Sequence, residues 1–135
     1  MSRRRTLPLI ALLAALAASA PPARASSEQV AWVRRAAGNF VRAELDGSGA
    51  NACGVLEASL RTTRRGRSCA ERWDARIAEL LRAPGARARL RAQLRQIASA
   101  SVTVHGRVAS LELATPLTSG PNRFVWSENC WMLAS

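Results

Sequence analysis

The chain has 135 residues, enough for one compact domain and too few for two. Hydrophobic residues make up 48%, which excludes an intrinsically disordered chain, and 20 cations against 9 acids give a formal charge of +11. Every cation is Arg, Tyr is absent and His105 is the sole histidine, so a metal centre built from histidines and Tyr-dependent acid–base chemistry are both excluded.

Met1–Ala25 reads as an export signal. Arg3, Arg4 and Arg5 give a positive start, Leu7 to Ala20 an uncharged apolar run, and Ala23-Arg24-Ala25 a cleavage site before Ser26. An apolar run of about 14 residues cannot cross a ~30 Å hydrocarbon core, so no transmembrane span is expected in the mature chain. Ser2-Arg3-Arg4-Arg5-Thr6-Leu7 also resembles a twin-arginine export motif, with Thr6 where a bulky apolar residue is usual. Residues 26–135 keep 16 arginines against 9 acids, a charge of +7, and form the single expected domain.

Ser26 and Ser27 can cap a helix running to Leu45, with Val30, Val33, Ala37, Phe40 and Val41 on one face and Trp32 on the other. Asp46-Gly47-Ser48-Gly49 ends it as a turn. A short helix over Asn51–Arg61 is expected next, then a basic loop, Arg61-Thr62-Thr63-Arg64-Arg65-Gly66-Arg67. Ser68 and Glu71 form a capping box for a helix to Ala83 carrying Cys69, Trp73, Ile77, Leu80 and Leu81 on one stripe. Pro84-Gly85 stops it, and a fourth helix follows over Ala86–Ser99 with Leu90, Leu94 and Ile97 inward. Arg87, Arg91 and Arg95 stack beside that stripe at i, i+4 and i+8.

After Ser101 the period changes. Residues 101–113 read as two strands joined near His105-Gly106, and Thr115 to Asn122 as a loop. Arg123–Trp126 and Cys130–Leu133 form a last hairpin turning through Ser127-Glu128-Asn129. Helices followed by strands argue for an α+β fold with an antiparallel sheet. That sheet is expected to bury Val102, Val104, Leu111, Leu113, Phe124 and Trp126 against Val33, Phe40, Trp73, Ile77 and Leu80.

These features occur together with the segments NACGVLEASL, SCAERW and VTVHGRVASLEL and a terminal strand carrying Trp. The combination resembles small secreted bacterial proteins of the nuclear transport factor 2-like, or SnoaL-like, superfamily. The resemblance implies a curved sheet wrapped over N-terminal helices as a cone with a pocket, and a non-catalytic binding or accessory module. The chain shows fewer strands than that fold usually has, and a helix at 86–99 where such proteins often place strands. Superfamily enzymes of the ketosteroid-isomerase type use an Asp base and a Tyr; here Tyr is absent and only Asp46 and Asp74 are present, so no catalytic residue is assigned, and a small pocket enzyme with Asp74 as base is the third reading.

Three cysteines in an exported protein imply one disulfide and one remaining thiol. Cys53 and Cys69, 16 apart and flanking the basic loop, are the favoured pair, with Cys130 bonded to either as the alternative. A Cys130–His105 dyad would need the two hairpins to bring these residues together. The arginines are the other signal. Arg61, Arg64, Arg65 and Arg67 form one cluster, and Arg82, Arg87, Arg89, Arg91 and Arg95 a second. Either group suits an anionic lipid or a cell-wall polymer, or is simply a solvated face. No aromatic interleaves them, which argues against nucleic acid. Neither cofactor nor metal is expected; the partners the sequence suggests are a small apolar ligand or an anionic surface.

Overall fold

The computed structural model describes residues 24–135. The expected export segment therefore lies, but for Arg24 and Ala25, outside the described residues. Four helices precede a four-stranded antiparallel sheet, an α+β fold. The helices are α1 (Ser27–Asp46), α2 (Gly49–Val55), α3 (Cys69–Arg82) and α4 (Ala86–Ser99), with a 3-10 turn at Ala58–Leu60. The strands are β1 (Val102–His105), β2 (Val108–Leu111), β3 (Arg123–Ser127) and β4 (Cys130–Leu133). None of the described helices is long and apolar enough to cross a membrane.

Capping chemistry sets the helix starts. Ser26 accepts from the Gln29 amide and Ser68 from the Glu71 amide, and each third-position side chain reaches back to its cap, closing two capping boxes. Gly47, at φ 71°, ends α1, and Ser48 at once caps α2 by accepting from Asn51. The single helix expected over Asn51–Arg61 is thus two pieces. Helix α2 stops at Val55 because Leu56 turns extended and bridges to Leu133, where the Glu57 amide donates to the Leu133 carbonyl at 3.0 Å. That contact covers the end of β4, an outer strand of the sheet.

The sheet is a simple meander, β1-β2-β3-β4. Glu128 and Asn129 both adopt positive φ, 53° and 61°, as a two-residue primed hairpin turn requires between β3 and β4. Val104, Ala109, Leu111, Phe124, Trp131 and Leu133 are buried in the cluster that also holds Val33, Phe40, Trp73 and Ile77. Val102, Leu113, Trp126 and Leu80, expected inside, are only partly buried at its margin. Phe40 and Phe124 are fully buried, and each contributes about 2–3 kcal/mol by area alone. Phe40 meets Trp73 edge to face at 5.3 Å. Trp32 is 40% exposed yet stacks on Trp126 at 5.6 Å and 8°, so the outward side of α1 is also tied to the sheet.

Helices α2 and α3 approach so closely that position 49 admits only glycine. A Cβ there would overlap the Ala70 carbonyl oxygen and the Asp74 backbone. Asp74 completes the contact by accepting from the Gly49 amide at 2.7 Å. Its carboxylate thus ties α2 to α3. Cys53 and Cys69 are joined by a disulfide across the same interface, with Cα atoms 6.1 Å apart, and Cys130 is an exposed thiol.

Candidate functional site

The basic loop folds into a small hairpin. Arg64 and Arg67 pair across a tight antiparallel bridge, with N–H···O distances of 3.1 and 2.9 Å, and Arg65 and Gly66 take the two left-handed turn positions at φ 51° and 73°. Three ties hold this hairpin in place. The disulfide anchors its C-terminal side, the Arg72 guanidinium donates to the Thr62 carbonyl, and Arg61 lies 3.5 Å from Glu128. Arg61 is therefore part of a hairpin-to-hairpin ion pair, while Arg64, Arg65 and Arg67 are exposed. Pairing places the Arg64 and Arg67 side chains opposite each other, an arrangement that opposes folding for like charges.

The tether brings Arg64 to α3. Arg64, Arg72 and Arg76 wall one cleft of about 410 Å³ whose opposite side carries Thr118 and Ser119, with Trp73 and Leu56 lining it as well. The positions follow from the helix: Arg72 and Arg76 are one turn apart, flanking Trp73, and the Arg76 guanidinium lies 4.8 Å over the Trp73 ring. No side-chain carboxylate is among the residues lining this cleft, and neither ion pair found among the described residues involves these three arginines. The Nε of Arg72 is buried and donates to nothing. A buried N–H without an acceptor costs about 1–3 kcal/mol.

The second arginine cluster is not part of this cleft. Arg87, Arg91 and Arg95 are exposed on α4; Arg87 donates to the Leu45 carbonyl at 2.8 Å, Arg82 pairs with Glu79 at 2.8 Å, and Arg89 donates to the Pro84 carbonyl at 2.8 Å. Nor does the sheet form the Cys130–His105 dyad: His105 ends β1 and Cys130 begins β4, and β2 and β3 lie between them. Among the described residues no group of three His, Cys, Asp or Glu side chains could hold a metal ion.

Sequence reasoning missed Arg72 and Arg76, and also Glu44. Glu44 is 6% exposed on α1 and lines a second cleft, of about 270 Å³, with Leu80, Leu90, Pro116, Leu117 and Gln93. Burial pushes its carboxyl up to about 7 against the partial opposing pull of the Arg76 charge. Its position gave the signal. Glu44 falls four residues after Phe40 and three after Val41, on the apolar face of α1. Comparison with known proteins yields no relative, since no family model, curated protein or solved structure matches the chain. The resemblance to the nuclear transport factor 2-like superfamily accordingly rests on its sequence motifs alone.

Proposed function

We propose that this protein is an exported, non-catalytic binding module that holds phosphate groups of an anionic envelope component in the Arg64–Arg72–Arg76 cleft. The observation carrying this reading is that three arginines line one cleft with no side-chain carboxylate among them, one of them with a buried, unpartnered N–H. Guanidinium forks match phosphate oxygens two at a time, and the Thr118 and Ser119 hydroxyls can complete the shell. The charge of +7 on residues 26–135 adds long-range attraction, strongest at low ionic strength. The disulfide suits an oxidising compartment, in keeping with the export signal read from residues 1–25.

The test compares two charge-matched variants on vesicles containing phosphatidylglycerol and on soluble polyphosphate. Arg64→Ser with Arg76→Gln removes two cleft cations; Arg91→Ser with Arg95→Ser removes two exposed ones from α4. A charge-assisted hydrogen bond contributes about 1.5–3 kcal/mol, so the cleft variant should bind at least about tenfold more weakly while the α4 variant changes little. Vesicle binding alone assigns a lipid headgroup, and polyphosphate binding assigns a phosphate polymer. Equal losses in both variants would mean that binding follows net charge and would refute the cleft.

A further inference from the structure

We propose that the second cleft, between α1, α3, α4 and the 115–117 segment, is a binding site for a small molecule with an apolar body and a protonated amine, held by the Glu44 carboxylate. The inference is independent of the phosphate cleft. Its walls are mainly apolar, with Leu80 from α3, Ala86 and Leu90 from α4, and Pro116 and Leu117 from the loop, and Arg89 and Gln96 of α4 at its edge. Into this surface α1 places the carboxylate of Glu44, a residue only 6% exposed, and that carboxylate takes part in no hydrogen bond or ion pair. A buried charge without a partner opposes folding, and replacement by an apolar residue would remove that cost. A cleft of about 270 Å³ lies at the small end of the range for small-molecule sites, and suits a ligand of a few carbons.

The polar atoms in the cleft select a donor. Gln93, itself buried, donates its Nε2 to the Thr115 carbonyl at 3.0 Å, which leaves its Oε1 as an acceptor. An ionised Glu44 offers two more acceptor oxygens. An ammonium group has three donors and no acceptor, and it can bring to Glu44 the paired countercharge that no arginine gives it. Arg89 lines the cleft as well, yet neither it nor any other nearby cation pairs with Glu44. Arg76 of α3 lies over Trp73, Arg89 of α4 donates to the Pro84 carbonyl, and Arg87 of α4 donates to the Leu45 carbonyl. Arg76 acts on Glu44 through space, without reaching ion-pair distance.

Binding should then be linked to the charge on Glu44. With a carboxyl that titrates at about 7, the ionised fraction rises about tenfold between pH 6 and pH 8. The probe is n-hexylamine, which is protonated throughout that range, with 1-hexanol as its uncharged counterpart. Calorimetric titration of the whole protein should show saturable hexylamine binding, about tenfold tighter at pH 8 than at pH 6. Titration in two buffers of different ionisation enthalpy should show release of roughly half a proton at pH 7. Glu44→Gln should weaken hexylamine binding at least tenfold and abolish its pH dependence. The proton release is read on the unaltered protein, so the test stands even if that variant folds poorly. The proposal is overturned if hexylamine does not saturate, if it binds without releasing a proton, or if hexanol binds as tightly with the same pH profile.

Discussion

In α3, the half-buried Arg72 and the exposed Arg76 line one cleft; in its last turns Leu80 backs another, whose one carboxylate belongs to Glu44, a residue only 6% exposed. Exposed guanidinium groups such as those of Arg64 and Arg76 cost the fold little, whereas the buried Arg72 Nε–H without an acceptor costs more. A desolvated carboxylate is different, because the fold itself must hold the charge, and burial responds by raising its affinity for a proton. One helix thus lines two clefts that differ in how far their charged groups are buried. Arg76 links them, lining the first cleft while its charge is felt at Glu44 in the second.

The largest expected effect breaks this comparison on one side only. Replacing both Cys53 and Cys69 by Ser releases a loop of 16 residues and should cost about 3 kcal/mol of stability. It should also weaken phosphate binding, because the disulfide helps to hold Arg64 beside α3, and leave the Glu44 cleft unchanged. Equilibrium denaturation with both ligand titrations checks this; equal loss at the two clefts would show that they are not separately built.

Next comes the pH dependence. The Glu44 carboxyl is raised from 4.5 to about 7, so between those values the folded state binds the proton more tightly than the unfolded chain. The stabilisation from protonation is full below about pH 4.5, falls as pH rises, and is gone above about pH 7. Relative to Glu44→Gln, the native protein should lose roughly 2–3 kcal/mol between pH 5 and pH 8 in chemical denaturation. Parallel curves for the two proteins would show that Glu44 is not desolvated.

A smaller effect supplies the baseline away from both clefts. Trp32→Ala removes the stack on Trp126 and should cost about 1 kcal/mol, seen as a shift of several degrees in Tm. Neither ligand titration should change.

The fold was largely legible in the sequence because its punctuation is local. Ser26, Ser68, Pro84-Gly85 and the Glu128-Asn129 turn each act on their own neighbours, and α4 begins and ends where its pattern predicts. The break after Val55 was not legible, since Leu56 leaves the helix to pair with Leu133, far along the chain. The same division holds for the sites. The arginine loop is visible as a cluster, but only the tether to α3 selects Arg64, adds Arg72 and Arg76, and commits Arg61 to Glu128. Glu44 announced itself by spacing beside Phe40 and Val41, yet its lack of a partner depends on where Arg76, Arg87 and Arg89 go.

The central claim is that Arg64, Arg72 and Arg76 together hold a phosphate, and the buried Nε–H of Arg72 reports on it most directly. Nitrogen-detected NMR of the arginine Nε–H groups, followed while phosphate is added, reads that proton in place. The account predicts a saturable shift of the Arg72 Nε–H resonance, with smaller shifts at Arg64 and Arg76 and none at Arg91 or Arg95. An unmoved Arg72 signal, or shifts spread evenly over the exposed arginines, would contradict it.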